Sequence, residues 1–284
     1  MTPPRLALLT AASMLAFAAN SLLCRWALRD TGIDPATFGI VRLVSGAAAL
    51  ALLVRPTGAD GQDGQDGDWR SAFALFAYVA AFSFAYVQLS AAVGALLLFG
   101  VVQLTMVLCG LAAGDGATAG PMAGLAVALA GLYVLVSAQG ATVEGSLWAQ
   151  ALMAAAGVAW GIYSIRGRRS THAKAVTRGN FLRAAALSAT LLPLAAMQWQ
   201  WDPRGLALAV VSGALTSGAG YVVWYSVTPH LRAIQASTVQ LSVPLITAVA
   251  GILFLQERLV ASQVLGGALI LGGIALTFRR QEKR

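Results

Sequence analysis

The chain has 284 residues, of which 58% are hydrophobic and 11% are charged. A soluble domain usually carries about twice that charged fraction, so the composition argues against an ordinary soluble protein and indicates a membrane bundle. The formal net charge of +8 does not point to nucleic acid, because the basic residues flank apolar segments, which is a pattern of membrane orientation.

Ten apolar segments follow one another along the chain, each about long enough to cross the hydrocarbon core as a helix. They cover residues 6–27, 35–54, 71–90, 92–113, 119–138, 146–165, 180–198, 206–228, 233–255 and 261–278. The first segment imitates a cleavable secretory signal, but its apolar run continues through Leu23, so a retained helix is expected. Short links between most segments favour antiparallel neighbours. The predicted fold class is an all-α integral membrane protein with ten transmembrane helices.

The distribution of basic residues predicts the orientation in the membrane. An even number of spans places both termini on the same side. With the N-terminus in the cytoplasm, thirteen Lys and Arg residues fall on the cytoplasmic side, three fall on the other side, and three lie in or near spans. This positive-inside bias predicts a multi-pass inner-membrane protein with both termini cytoplasmic.

The chain resembles itself when it is shifted by 142 residues. The fourth and fifth segments then fall on the ninth and tenth without a gap, and Asp115 meets Glu257. A repeat of five helices is odd-numbered, so its second copy enters the membrane from the opposite side. The sequence therefore predicts one membrane domain made of two inverted five-helix repeats, residues 1–141 and 142–284, around a central cavity. This is a signature of alternating-access transporters, although duplication also builds inert bundles.

Two glycine pairs mark faces that permit close helix approach. Gly124 with Gly131, and Gly266 with Gly273, are each seven residues apart, so each pair lies on one helix face after two turns. The two pairs also align with each other in the repeat. Such faces serve either packing within one chain or a homodimer, and the sequence leaves both possibilities open.

A series of short motifs recurs in order along the chain. They are Phe17-Ala18-Ala19-Asn20 with Arg25, Asp34-Pro35 before Arg42, Trp160-Gly161-Ile162-Tyr163, Gly218-Ala219-Gly220-Tyr221 with Trp224-Tyr225, and Pro244 before Leu255-Gln256-Glu257-Arg258. Together they resemble the EamA-type proteins of the drug/metabolite transporter superfamily, over essentially the whole chain. The resemblance implies ten helices in two halves and transport of small solutes, most similar to bacterial exporters of amino acids, aromatic ones included, and metabolites. The family commonly has Trp-Gly in place of Phe17-Ala18 and Gly-Glu in place of Gly114-Asp115.

Polar and aromatic side chains recur at helical spacing inside the spans, where polar groups need partners or a cavity. We expect them to converge on an aromatic, sparsely polar cavity that suits an amphiphilic solute. The candidate substrate-binding residues are Asn20, Tyr78, Phe82, Phe99, Gln103, Trp160, Tyr163, Ser164, Tyr221, Trp224, Ser237, Gln240 and Pro244. The alternative is helix packing for the amides and an interfacial belt for aromatics, and the belt is the favoured interpretation for Tyr86 and Trp148.

Charged residues inside the spans are few. Arg42 and Arg183 lie within apolar runs, where either could neutralise a substrate carboxylate, but snorkelling toward the headgroups is the expected fate of both. All eleven acids fall in loops or at helix ends. Because proton relays usually keep a carboxylate or histidine within the membrane, this placement favours facilitated movement or exchange over obligatory proton coupling.

The remaining motifs argue against enzyme, metal and cofactor chemistry. Two cysteines, Cys24 and Cys109, lie inside apolar runs as buried thiols, and the two histidines are far apart, so no metal site is expected. Motifs such as His-Glu-x-x-His and Gly-x-Ser-x-Gly do not occur. We therefore expect a secondary transporter of amino acids or similar metabolites, with a small-molecule substrate and no cofactor or nucleic acid. The alternatives are a non-transporting assembly or receptor subunit, and a carrier of drugs, nucleosides or sugar derivatives.

Overall fold

The fold is helical throughout the part of the chain that the computed structural model describes, which comprises residues 1–55, 66–112, 119–137, 146–168, 172–231 and 239–279. Within these ranges there is no strand. Five helices are long and apolar enough to cross a membrane by length and composition, and further, shorter apolar helices accompany them. The predicted class, an all-α membrane protein, is confirmed.

The helices of the described ranges correspond one by one to the ten predicted spans. They are α1 (Pro3–Asp30), α2 (Pro35–Leu53), α3 (Trp69–Tyr86), α4 (Ala91–Ala112), α5 (Ala119–Ser137), α6 (Leu147–Arg168), α7 (Ala173–Gln198), α8 (Pro203–His230), α9 (Ser242–Leu255) and α10 (Ala261–Arg279). The starts of α7 and α9 differ most from the prediction. Helix α9 begins nine residues after position 233, and residues 232–238 lie outside the described ranges. Helix α7 begins seven residues before position 180. Lys174 and Arg178 lower the hydropathy of this first part, while Ala175 and Thr177 on its other face are buried.

Aspartate caps fix the beginnings of three helices. Asp34 accepts a hydrogen bond from the third residue of α2, with Pro35 at the first helical position. Asp68 does the same for α3, and Asp202 followed by Pro203 does so for α8. Each cap satisfies a backbone N–H that has no partner in the helix, and is typically worth about 1 kcal/mol.

Two spans depart from regular α-helix. In α7, a 3-10 turn over Ser188–Leu191 precedes its final helical segment. In α8, residues Ser212–Ala219 form a π-helical stretch in the middle of the span. A π turn carries an extra residue, so it rotates the following side chains relative to the preceding ones and often occurs at functional sites.

The helices pack in pairs that link the first five with the last five. Six of these pairs form three couples: α1–α8 and α3–α6, α1–α9 and α4–α6, and α2–α8 and α3–α7. The other three pairs are α2–α7, α4–α9 and α5–α10. Exchanging α1 to α5 for α6 to α10 turns each of the first six pairs into another of them and leaves the last three pairs unchanged. The less extensive contact of α4 with α10 has no counterpart of similar extent among the described residues. The packing therefore has the pattern that two structural repeats would produce.

The predicted glycine faces meet each other between α5 and α10. A Cβ atom on Gly131 would lie 2.8 Å from the carbonyl oxygen of Gly266. A Cβ atom on Gly273 would collide with the backbone nitrogen of Ala128 and lie 2.6 Å from the carbonyl oxygen of Gly124. Both glycine pairs thus serve close packing within one chain.

Two expected placements are wrong. Tyr86 does not lie in an interfacial belt, because its side chain is fully buried and its hydroxyl lies 3.4 Å from the carbonyl oxygen of Ala91. Cys24 is buried, but Cys109 is exposed on the surface of α4. Trp148, by contrast, is 69% exposed, as an interfacial tryptophan would be.

Candidate substrate site

A small closed cavity lies at the centre of the bundle, where α1, α3, α4, α6 and α8 meet. Its volume is about 20 Å³, which is room for roughly one water molecule. The lining residues are Phe17, Asn20, Ser21, Tyr78, Leu98, Phe99, Trp160, Thr216 and Tyr221. The lining therefore draws on helices from both halves of the chain.

Aromatic rings form most of the cavity wall. The ring centroid of Trp160 lies 4.9 Å from that of Tyr78 and 5.2 Å from that of Tyr221. Phe17 meets Tyr221 and Trp224 edge-on, at 5.8 Å and 5.7 Å. Ring pairs of this kind are worth about 0.5–1.5 kcal/mol each beyond their buried area. The cavity can therefore admit a larger solute only if these rings and the helices that carry them separate.

A polar network reaches the cavity from α1, α3 and α8. The Asn20 side-chain N–H group donates to the Tyr78 hydroxyl oxygen at 3.4 Å. The Asn20 carbonyl oxygen accepts from the Ser212 hydroxyl at 2.7 Å and lies 3.3 Å from that of Thr216. The π-helical stretch of α8 carries both hydroxyls. Among the described residues, no group of three His, Cys, Asp or Glu side chains could hold a metal ion.

Arg42 lies directly behind Tyr78 and is only 1% exposed, so the expectation that it snorkels is wrong. Its Nη2 donates to the Tyr78 hydroxyl oxygen at 3.1 Å, and its Nε donates to the Ser217 hydroxyl oxygen at 3.2 Å. The guanidinium also lies over the ring of Phe82, 4.9 Å from the centroid, while Nη1 has no hydrogen-bond partner. Arg42 is at least about 10 Å along α2 from either helix end at 1.5 Å per residue, which is too far for its side chain to reach headgroups.

Arg183 fits the snorkelling expectation. Its Nη1 donates to the backbone carbonyl oxygen of Asp66 at 2.6 Å, just before α3 begins. Its guanidinium lies 5.9 Å from the ring centroid of Trp69, an exposed residue at the same end. The two intramembrane arginines thus differ, because one reaches the end of the bundle and the other stays at its centre.

An ion pair joins the C-terminal part of α1 to Glu257, which follows α9. The Arg25 Nε lies 3.3 Å from a Glu257 carboxylate oxygen, and the side chains are 13% and 5% exposed. The Glu257 carboxylate also accepts the backbone N–H of Ala91 at 2.9 Å, where a negative charge is favourable beside the start of α4. The Arg25 Nη1 donates to the backbone carbonyl oxygens of Tyr86 and Val87. We call Arg25, Glu257 and the Ala91 N–H the latch.

The opposite end of α1 borders an open apolar groove between α1 and α9. Its volume is about 680 Å³. The lining residues are Pro3, Leu6, Ala7, Thr10, Ala11, Met14, Leu15, Leu231, Val239, Ser242 and Ile246. Along α1, residues 3–15 therefore line the groove, residues 17–21 line the closed cavity, and Arg25 belongs to the latch.

The predicted substrate residues are brought together only in part. Those that line the cavity are Asn20, Tyr78, Phe99, Trp160 and Tyr221. Those that belong to the surrounding ring cluster are Phe82, Tyr163 and Trp224. Those that are described but lie outside the lining are Gln103, Ser164, Gln240 and Pro244. Ser237 lies outside the described residues.

Sequence reasoning overlooked four lining residues and mispredicted the burial of Arg42. Phe17 lies one helical turn before Asn20, so the spacing of three residues would have placed it on the same face. Ser21 and Leu98 are adjacent to predicted residues, and neither is distinctive in composition. Thr216 could not be found by periodicity, because the π-helical stretch shifts the register of α8.

Comparison with known proteins relates the chain to a family of transporters. A family model described as the EamA-like transporter family matches residues 147–279. An uncharacterized protein of Pseudomonas aeruginosa is 49% identical over 97% of this chain and 95% of its own. The threonine/homoserine exporter RhtA of Escherichia coli is 31% identical over 169 residues, 55% of each protein. An uncharacterized transporter of Archaeoglobus fulgidus is 24% identical over 97% of this chain and 98% of its own.

A solved crystal structure has the same fold. It is 20% identical in sequence and superimposes with a TM-score of 0.64, covering 99% of this chain and 100% of that one. At this level of identity the likeness concerns the fold alone.

Proposed function

Because the chain belongs to the EamA-like transporter family, we propose that it is a secondary transporter that carries amino acids or similar amphiphilic metabolites across the inner membrane by alternating access. The observation that carries this proposal is the order of features along α1, with an open groove, a closed central cavity and a latched end. A carrier needs such an order, because its central site must be closed to one side while it is open to the other.

The helix pairs support a division into two repeats, residues 1–141 and 142–284. The pairs exchange with one another when the first five helices are exchanged for the last five. Five spans per repeat give the two copies opposite orientations in the membrane, and the central cavity lies between them. Inverted repeats of this kind allow each half to adopt the conformation of the other, which moves the opening from one side to the other.

The positive-inside bias favours an orientation with the groove at the cytoplasmic side of the membrane and the latch at the outer side. Both termini are then cytoplasmic, and the described conformation is closed outward and open inward as far as the groove. Opening outward requires Arg25 and Glu257 to separate. Separating a buried ion pair is unfavourable by several kcal/mol unless water or new contacts compensate, so the latch stabilises the outward-closed state.

The cavity chemistry supports an amphiphilic amino-acid substrate. Phe17, Trp160 and Tyr221 line the cavity. Aromatic rings of this kind attract an ammonium group, by about 2 kcal/mol when it is desolvated, and they also pack apolar side chains. The relative RhtA is named as an exporter of threonine and homoserine, which favours the same substrate class. The cavity lining contains no Asp, Glu or His among the described residues, which favours facilitated diffusion or exchange.

Counterflow in liposomes tests this proposal. Vesicles that contain the purified protein and a high internal concentration of one unlabelled amino acid are offered the labelled form outside. We expect saturable uptake that protein-free vesicles lack. Trp160→Ala should reduce the rate or change the selectivity, because Trp160 contacts three other rings of the wall. Trp148→Ala is the matched control, since Trp148 is 69% exposed.

Two results would count against the proposal. Absence of saturable flux for every one of the common amino acids would favour another solute class or a non-transporting role. Unchanged flux in the Trp160 variant, with a lower unfolding temperature, would assign that ring to packing alone.

A further inference from the structure

A buried cation without a carboxylate partner stands beside the cavity. Every described contact of the Arg42 guanidinium is with a neutral group, namely two hydroxyl oxygens and two aromatic rings. The ion pairs of the described residues involve other arginines, which lie within about two turns of a helix end. An isolated charge at this depth is costly, so the site gains free energy from any anion that reaches it.

The polar groups around Tyr78 supply donors in excess of acceptors. Its hydroxyl oxygen already accepts from Arg42 and from Asn20, so this hydroxyl has only its own hydrogen left to offer. The Asn20 carbonyl oxygen is engaged by hydroxyls of α8. The Nη1 group of Arg42 is buried and without a partner. These unused donors, the Tyr78 hydroxyl hydrogen and the Arg42 Nη1 group, suit a ligand group that is negatively charged and only accepts hydrogen bonds.

On the basis of the proposed transport function, we infer that Arg42 and Tyr78 form the subsite for the substrate carboxylate. Tyr78 lines the cavity, and its hydroxyl donates to one carboxylate oxygen. Arg42 supplies the positive charge behind it, and its Nη1 is available to the second oxygen when the cavity opens. The substrate class is therefore small carboxylic acids, with the rest of the molecule against the aromatic wall.

This subsite predicts a specific order of competitors. An α-amino acid and its α-hydroxy acid analogue share the carboxylate, whereas the carboxamide and the amino alcohol lack it. Removing one partner of a buried, hydrogen-bonded charge pair weakens binding strongly, because the other charge is left buried and unpaired. We therefore expect the carboxamide and the amino alcohol to compete about 100-fold more weakly than the parent acid, and the hydroxy acid to compete within about tenfold.

The experiment uses the full-length protein in liposomes and the amino acid that gives the strongest counterflow. Its carboxamide, amino alcohol and hydroxy acid are tested as competitors. The variant Arg42→Gln should lose the discrimination between acid and amide, and Arg42→Lys should retain part of it. Arg204→Gln is the control for loss of an arginine, because Arg204 is exposed at the start of α8 and should leave the order of competitors unchanged.

The outcomes separate this inference from the proposed function. Saturable flux with equal competition by acid and amide would overturn the carboxylate subsite and leave transport intact. If no amino acid is carried, threonine and its carboxamide, amino alcohol and hydroxy acid are tested for binding by the fluorescence of the protein's tryptophans. Selective binding of the two acids would then support the subsite alone, and equal or absent binding would overturn it. The comparison of ligands on the unaltered protein does not depend on whether the Arg42 variants fold.

Discussion

Two adjacent glycines of α10 offer a sharp test of how the bundle packs. Gly273 faces α5, where an added Cβ atom would collide with the backbone of Ala128 and lie 2.6 Å from the carbonyl oxygen of Gly124. Gly272 is the next residue along the same helix, and an added Cβ atom there would have no neighbour within 4 Å. Gly273→Ala and Gly272→Ala therefore make the same chemical change, with a steric clash at position 273 and without one at position 272.

The magnitude follows from two opposing effects. Alanine favours a helix over glycine by about 1 kcal/mol, and this gain is common to both variants. At Gly273 the obstructing atoms belong to the backbone, so α5 and α10 must move apart, and overpacking of this kind costs about 1–3 kcal/mol. The difference between the two variants isolates the steric effect. We expect Gly272→Ala to be neutral or stabilising and Gly273→Ala to be less stable than it by about 1–3 kcal/mol.

The assay is unfolding of both variants and the unaltered protein in the same detergent, followed by circular dichroism. Light scattering on the same samples measures the oligomeric state. Equal unfolding midpoints for the two alanine variants would refute the close contact between α5 and α10. A change from dimer to monomer in the Gly273 variant would instead assign the glycine face to an intermolecular contact.

Two further predictions concern charged groups at the latched end and at the α8 cap. Glu257→Gln removes the charge that holds Arg25, so we expect the outer end to open at least about tenfold more often. The rate at which an external reagent labels an engineered thiol beneath the latch measures this opening. An unchanged labelling rate would contradict the prediction. The backbone N–H groups of Gly205 and Gly32 bind Asp202 and hold the pKa of its carboxyl below the ordinary value. The contribution of the ionised Asp202 carboxyl to stability is present above its ordinary pKa and is lost as the pH falls through its lowered pKa in the folded protein. Melting curves between pH 7 and 3 should therefore fall more steeply for the unaltered protein than for Asp202→Asn, and parallel curves would contradict the assignment.

The features that could be predicted from the sequence are those that local patterns specify. Span length and hydropathy predicted the ten helices of the described ranges. The spacing of glycines such as Gly131 and Gly273 identified the faces of α5 and α10 that contact each other. Asp34-Pro35 and Asp202-Pro203 mark helix starts because the cap and the proline act within one turn. These properties depend on residues close together in the chain, so a single sequence contains them.

The candidate site was less predictable because its environment comes from distant residues. Arg42 looks like a snorkelling residue in isolation, and only the hydroxyls of Tyr78 and Ser217, on two other helices, show why it remains buried. The register of α8 changes at its π-helical stretch, so Thr216 does not follow the helical period. Tyr86 has the position of a belt residue in sequence, yet packing against Phe82 buries it.

The continuity of α1 has a mechanical consequence. It is one unbroken helix of 28 residues, about 42 Å long at 1.5 Å per residue, and it borders the groove near one end and holds Arg25 near the other. A rigid rod that tilts about its midpoint moves its two ends in opposite directions. Because Asn20 near that midpoint is tied to α3 and α8, it provides a natural pivot. A tilt that narrows one entrance would widen the other, so a single motion would keep the membrane sealed against free leakage.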